Sequence, residues 1–200
     1  MARPQLHTTD AMLDAARDLL IRGGSGRATI EAIAGASGAP TGSIYHRFGS
    51  RDELIARLWI RAVERSQVRF MEAIEGDDPR DAAVDAALSI IDFCEREPAD
   101  ARLLVSFRRE DLMREAQGEL AEALEALNRP VLGVVRRLAR RLYGTSARAA
   151  VDRTLLATFD LPYGAARRYL ITGEELPAGL REDVRAAVEA ALDRPLARSA

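Results

Sequence analysis

The sequence predicts an all-α fold with two helical domains, residues 1–50 and residues 51–200. Apolar side chains recur at helical spacing along most of the 200-residue chain, whereas the alternating runs and hairpin signals of strands are absent. The 14 glycines and 8 prolines fall mostly between the periodic segments. With 48% hydrophobic residues, the chain can form one sizeable core or two small ones.

The first two helices are predicted from their caps. Thr8 or Thr9 is expected to cap the segment DAMLDAARDLLIRGG, which ends at Gly23. Thr29 is expected to cap a second, shorter helix. Gly38 then supplies the left-handed backbone conformation that ends this helix.

A third helix starts at Pro40, whose fixed φ suits a first turn, and it packs inward through Ile44 and Phe48. Ser50 and Glu53 form a capping-box pair that starts the next helix directly behind it. Two short helices joined by a tight glycine-bearing turn are the layout that places one helix in a DNA groove.

The outward face of the third helix is polar, and we expect it to contact DNA. Gly42 has no side chain, so a phosphate or a base edge can approach the backbone there. Thr41, His46 and Arg47 are long or polar enough to reach base edges in the major groove. The predicted DNA-contacting residues are Thr29, Thr41, Gly42, Ser43, Tyr45, His46, Arg47 and Arg51.

This segment resembles the DNA-binding domain of the TetR (tetracycline-repressor) family of bacterial transcriptional regulators. The residues that carry the resemblance are Thr29, Ile33, Ala34, Gly38, Gly42, Ile44, Tyr45, His46, Phe48, Arg51, Glu53 and Leu54. The sequence departs from the family at Ala39, where a larger apolar residue is usual, and at Arg51, where lysine is usual.

The resemblance implies roles for individual residues. Thr29, Ser43 and Tyr45 would hold the DNA backbone, together with Arg51. Thr41, Gly42 and His46 would face the bases.

The remaining chain predicts further helices. A long helix is expected from Ser50 to about Ile74, and two more follow Pro79, separated at Pro98. A leucine-rich stripe over residues 120–142 predicts one long helix that Pro130 kinks. The last two helices are expected over ARAAVDRTLLATFDLPYGAARRYL and GLREDVRAAVEAAL.

The resemblance implies that the C-terminal domain dimerises, because in this family the last helix pair of each subunit forms a four-helix interface. The same apolar stripes could instead close the core of a single chain. The candidate interface residues are Leu155, Phe159, Tyr163, Ala166, Val184 and Val188.

A small-molecule sensing role of the C-terminal domain is likewise implied by the resemblance alone. Large side chains from several helices could line an apolar cavity, although each of them could also be ordinary core. The candidate pocket residues are Trp59, Phe70, Phe93, Phe107, Met113, Phe159 and Tyr163.

Composition narrows the function classes. The net charge is −2, and residues 1–52 hold six arginines against five acidic residues, so DNA affinity has to come from individually placed charges. The single cysteine, Cys94, excludes an intrachain disulfide and is interpreted as a small buried hydrophobic residue rather than a redox-sensing thiol. No cofactor or metal site is predicted.

The N-terminal segment lacks a signal-peptide core and no apolar run could span a membrane, so we expect a cytoplasmic protein.

Together these observations predict a homodimeric transcriptional repressor that binds a palindromic double-stranded DNA operator and is released by a small, mostly apolar effector. One alternative is a helical DNA-binding regulator without an effector. Another is an enzyme that uses the helical cavity, which the absence of recognisable catalytic motifs disfavours.

Overall fold

In a computed structural model, which describes residues 8–196, helices account for most of the chain and no strand occurs within that range, as predicted. No helix in this range is both long and apolar enough to cross a membrane. The helices are α1 (Thr9–Gly23), α2 (Ile30–Ser37), α3 (Thr41–Phe48), α4 (Arg51–Ala73), α5 (Pro79–Arg96), α6 (Pro98–Ser106), α7 (Arg109–Glu115), α8 (Gly118–Ala126), α9 (Arg129–Tyr143), α10 (Arg148–Leu155), α11 (Leu161–Thr172) and α12 (Leu180–Asp193). A short 3₁₀ turn (Ser25–Arg27) follows α1, and a π-helical segment (Leu156–Asp160) joins α10 to α11.

The chain forms two compact units. Among the described residues, unit 1 comprises those up to Val63 together with residues 102–126, and unit 2 comprises residues 64–101 and those from Leu127 onward. The division falls inside α4 and inside α6, so each of these helices contributes residues to both units. The predicted domain boundary after residue 50 separates the helix-turn-helix from α4, and it stays a prediction.

In unit 1, α1 packs against α2 and α2 packs against α3. The predicted caps are present: the Thr8 hydroxyl accepts a hydrogen bond from the Ala11 N–H at 3.1 Å, and the Thr29 hydroxyl accepts one from the Ala32 N–H at 3.2 Å. The core is built from side chains that are almost fully buried, namely Met12, Ile33, Ile44, Phe48, Leu54 and Leu58. These residues follow the apolar periodicity of the sequence.

The prediction of one long helix kinked at Pro130 is wrong. Helix α8 ends at Ala126, and a separate helix, α9, begins at Arg129 with Pro130 in its first turn. A first-turn N–H has no partner inside its helix, so proline causes no loss there. The proline therefore marks the start of a helix rather than a bend within one.

The predicted helix over residues 147–170 is continuous from Arg148, but it contains a wider turn that the sequence did not predict. The Leu161 N–H donates to the Leu156 carbonyl, five residues back, which defines the π-helical segment. Pro162 follows directly, and in a regular helix its ring would clash with the carbonyl of Thr158. The π turn accommodates this proline.

Unit 2 is arranged around α5, which contacts α9, α11, α12 and the π segment. Its buried face carries several alanines, which allow other helices to approach closely. Ion pairs tie the helices together: Arg80 pairs with Asp193 of α12 at 2.7 Å, and Arg65 of α4 pairs with the fully buried Asp100 of α6 at 3.0 Å.

Candidate nucleic-acid interface

Helix α3 has one buried face and one polar, accessible face. Ile44 and Phe48 are buried in unit 1, whereas Tyr45 is 50% exposed and His46 is exposed. A Cβ atom added to Gly42 would meet no atom within 4 Å. The surface at Gly42 is therefore open, and a partner from outside can approach the backbone there.

The turn between α2 and α3 has the geometry that the sequence predicted. Gly38 has φ 70° and ψ 4°, the left-handed conformation that ends α2. Ala39 is buried in this turn, and Pro40 directly precedes α3.

The connection from α3 to α4 is equally tight. Gly49 has φ 75°, and its N–H donates to the Tyr45 carbonyl at 2.9 Å, which closes α3. The Glu53 N–H donates to the Ser50 hydroxyl at 3.1 Å, which confirms this half of the predicted capping pair. A Cβ atom on Gly49 would lie 3.1 Å from the Glu53 carboxylate, so a side chain would be strained here by φ and by contact. The sequence analysis did not single out Gly49.

Arg51 contacts the protein itself. Its Nε donates to the Ala28 carbonyl at 2.7 Å, and its Nη1 lies 3.2 Å from the Asp52 carboxylate. The bond to Ala28 ties the first turn of α4 to the loop that precedes α2. Arg51 therefore positions the helix-turn-helix, in addition to any contact that it makes with phosphate.

The other predicted DNA-contacting residues lie at or beside α3. Thr41 and Ser43 are partly exposed in its first turn, and the exposed Thr29 caps α2. Arg47 approaches the Thr9 hydroxyl at 3.4 Å, a long contact that a DNA acceptor could replace. Since α3 contains no acidic residue, every charge on its accessible face favours a polyanion.

A brace between α1 and α4 was missed by the sequence analysis. Arg61 is only 13% exposed, and it pairs with Asp10 at 2.9 Å and with Asp14 at 2.6 Å. The available signal was the pair of acidic residues one turn apart on α1, opposite an arginine in a largely apolar part of α4. Because its two terminal nitrogens bind two different carboxylates of α1, the Arg61 guanidinium fixes α1 on α4 and so supports the core behind α3.

The seven candidate pocket residues are divided between the two units. Trp59, Phe107 and Met113 belong to unit 1, and the other four belong to unit 2. Phe70 and Phe93 are buried, whereas Phe159 is 44% exposed and stacks on Tyr163 with ring centroids 5.7 Å apart. A cleft in unit 1 is lined by Phe107 but by none of the other six.

The candidate interface residues also separate into two groups. Ala166, Val184 and Val188 are buried inside the chain itself, so their side chains belong to the core of unit 2 rather than to an accessible face. Phe159 remains exposed, with Leu155 and Tyr163 partly exposed. The apolar stripe of α12 therefore packs against its own chain, which is the alternative to a dimer interface that the sequence left open.

The position of Cys94 agrees with its interpretation as a buried hydrophobic residue. Burial raises the pKa of the Cys94 thiol to about 12, with a smaller contribution from Glu95. The thiol is therefore protonated at neutral pH, which makes it a poor nucleophile.

Comparison with known proteins identifies the N-terminal part of the chain. Residues 12–58, which include α2, α3 and their turn, match the model of the bacterial regulatory proteins of the tetR family. This segment is therefore similar to the N-terminal domain of that family. The predicted helix-turn-helix and its assignment as a DNA-binding element of a transcriptional regulator agree with this match.

The chain is also similar to the HTH-type transcriptional regulator UidR of Escherichia coli K12, to which it is 32% identical over 83 residues. The alignment covers 42% of this chain and 42% of UidR, so less than half of the relative's length is matched.

Solved structures show that the fold extends over nearly the whole chain. PfmR of Thermus thermophilus, a TetR-family transcriptional regulator, superposes with a TM-score of 0.69 at 18% identity, over 90% of this chain and 96% of PfmR. FadR of Bacillus subtilis, solved in complex with stearoyl-CoA, superposes with a TM-score of 0.71 at 11% identity, over 93% of this chain and 98% of FadR. At these identities the likeness concerns the fold alone.

Proposed function

We propose that this protein is a homodimeric, ligand-responsive repressor of the TetR family, which reads a palindromic operator with α3 of each protomer. The observation that carries the proposal is the accessible face of α3, where open space at Gly42 lies among Tyr45, His46 and Arg47. Hydroxyl, imidazole and guanidinium groups on one helix face suit both phosphates and base edges.

A dimer is supported by the charge and the surface of the chain. A net charge of −2 makes a single reading helix a weak DNA binder, and two copies would double the contacts. Phe159 and Leu156, exposed at 44% and 39%, lie in the π segment and offer an apolar patch for a second copy. A two-fold dimer would place its reading helices about 34 to 36 Å apart or further on a longer operator.

The effector is proposed to be a small, mostly apolar molecule. Support comes from the FadR structure, which shows that this fold holds an acyl-CoA in that protein. Phe70 and Phe93 provide buried aromatic surface in unit 2 of this chain. An effector lowers DNA affinity only if it binds the conformation that does not bind DNA more tightly, and a typical coupling is about 1 to 3 kcal/mol.

Selection of bound sequences from random DNA tests the proposed reading helix. We expect a palindrome whose half-sites are separated by about one helical turn of DNA or more. The variant to compare with the unmodified chain is Gly42→Leu, because an added Cβ at this exposed position meets no atom within 4 Å and leucine is a better helix former than glycine. We therefore expect this variant to fold. Gly42→Leu should lose the selected sequences. Enrichment of the same palindrome by Gly42→Leu would exclude α3 as the reading helix.

Calorimetry tests the proposed effector. Because coupling is reciprocal, a saturating operator should weaken effector binding by the same factor by which the effector weakens operator binding. A candidate ligand whose affinity is unchanged by the operator is not the effector.

A further inference from the structure

Helix α9 presents a line of arginines on the surface of unit 2. Residues 129, 133, 136 and 140 recur at intervals of four and three, so they share one face of the helix. Arg129, Arg136 and Arg140 are exposed and form the arginine line, which Gly133 interrupts. Helix α9 contains no acidic residue. At a rise of about 1.5 Å per residue, the arginine line is about 16 Å long.

The fold uses the arginines of α9 unequally. Arg137 and Arg141 lie beside the line and bind residues 75–77, which follow α4. Arg129 and Arg136 form no hydrogen bond or ion pair within residues 8–196. The charges of Arg129 and Arg136 are therefore available to a partner from outside.

Two residues on this face are unfavourable for the helix by itself. Arg129 lies in the first turn, where a positive charge opposes the helix dipole, and no acidic residue accompanies it there. Gly133 lies inside the helix, where glycine is a poor helix former. In the part of the chain that the structure describes, a Cβ atom on Gly133 would meet only the Arg137 Nη1 outside the backbone of α9, at 3.9 Å, so packing does not require glycine. An anionic partner lying along the line explains both residues, because it neutralises Arg129 and can approach the backbone at Gly133.

The chemistry of this surface favours a phosphate backbone over a protein partner. Protein interfaces are centred on aromatic or apolar side chains that become buried on binding. The large apolar side chain that α9 exposes is that of Leu132, which is 39% exposed and lies to one side of the line. Double-stranded DNA needs no apolar centre, because its phosphates bind arginine whatever the base sequence.

We propose that the arginine line of α9 binds the phosphate backbone of double-stranded DNA without reading its sequence. It is a second DNA-contacting surface, and it belongs wholly to unit 2, whereas α3 belongs to unit 1. A line of about 16 Å spans roughly five base pairs at about 3.4 Å each. The proposal does not depend on operator recognition, since these contacts form on any sequence.

Binding of a random-sequence duplex at several salt concentrations tests the proposal. Arg129→Ala/Arg136→Ala should fold, because alanine favours the helix and neither arginine has a partner in the described residues. We expect its affinity at about 0.1 M salt to fall about ten- to a hundredfold, and the slope of log affinity against log salt to decrease by about 2. The matched control is Arg96→Ala/Arg185→Ala, which removes two exposed arginines of α5 and α12 and changes the net charge equally. Equal losses in the two double variants, or no loss in the α9 variant, would overturn the proposal.

Two further measurements locate the contact and identify its chemistry. In an NMR titration with the same duplex, the Gly133 amide should shift, and shifts confined to unit 1 would contradict the proposal. Polyglutamate should bind more weakly than the duplex, because DNA carries one charge per about 1.7 Å. If polyglutamate shifts the Gly133 amide at equal or lower charge concentration, the occupant is an acidic protein segment and the proposal is refuted.

Operator selection separates this proposal from the one made for α3. Arg129→Ala/Arg136→Ala should select the same sequences as the unmodified chain, because phosphate contacts carry no sequence information. A changed consensus would refute sequence-independent binding by α9. If the unmodified chain selects no palindrome, α3 loses its proposed role, whereas the salt dependence of the α9 variant still decides this proposal.

Discussion

Replacing Arg51 by alanine separates two roles that fall on the same side chain. The resemblance to TetR-family proteins implies a phosphate contact, whereas the structure shows the guanidinium bound to the Ala28 carbonyl and to Asp52. A phosphate contact contributes only when DNA is present. A bond to Ala28 contributes to the stability of the free protein.

The expected loss of stability follows from these contacts. A hydrogen bond from a charged donor contributes about 1.5 to 3 kcal/mol, and the Arg51 Nε bond to the Ala28 carbonyl is short, at 2.7 Å. The pair with Asp52 lies at the surface, where ion pairs contribute about 1 kcal/mol at most. We therefore expect Arg51→Ala to lower the free energy of unfolding by about 2 kcal/mol. For a chain of this size, that corresponds to a fall in Tm of roughly 4 to 8 °C.

Unfolding in urea, followed by circular dichroism, measures this change without DNA. Arg51→Lys is the matched control, because lysine keeps the charge but lacks the Nε donor. If the phosphate role also holds, Arg51→Ala should reduce the slope of log affinity against log salt by about 1, and Arg51→Lys should not. Unfolding of Arg51→Ala within about 0.5 kcal/mol of the unmodified chain would refute the positioning role.

Three further predictions concern the operator, the dimer and the thiol. His46→Ala should weaken specific DNA binding by about 1 to 3 kcal/mol and relax base preference at one position of each half-site; equal losses on random DNA in a binding titration would contradict a base contact. Phe159→Glu should give folded monomers in light scattering, because Phe159 is exposed in the single chain. Val188→Glu places a charge at a fully buried site and should unfold the chain. A dimeric Phe159→Glu variant would show that the interface lies elsewhere. Cys94, whose thiol pKa is raised to about 12 by burial, should react with a disulfide reagent at pH 8 only as the chain unfolds, and rapid labelling of the native protein would contradict its burial.

Local signals were sufficient to predict the helix-turn-helix. The Thr29 cap, the left-handed Gly38 and the Ser50 cap depend on residues within four positions of one another, and each is present in the structure. The buried positions of α3 follow from helical periodicity for the same reason. Element boundaries close to such caps were therefore predicted within one or two residues.

Features that depend on distant parts of the chain could not be predicted in this way. The Arg61 brace to α1 and the Arg51 bond to Ala28 join residues 47 to 51 and 23 positions apart. An apolar stripe also looks the same whether it faces its own chain or a partner, which is why Val188 was a candidate interface residue. Charge and periodicity do not show whether an apolar stripe faces its own chain or a partner, nor which distant group an arginine binds, because tertiary packing decides both.

The π segment between α10 and α11 has a consequence for how related sequences align. A π turn holds one residue more than the same length of regular helix, so it amounts to a single-residue insertion absorbed without a loop. Removing one residue from 156–160 would convert the π turn into a regular α-helical turn and would leave the faces of α11 in register, so the buried Ala166 and Leu170 would still point toward the core. Pro162 would then stand inside a regular helix, where its ring clashes with the carbonyl four residues earlier. A relative with an alignment gap inside this helix is therefore expected to keep the packing of the α11 face and to lack this proline.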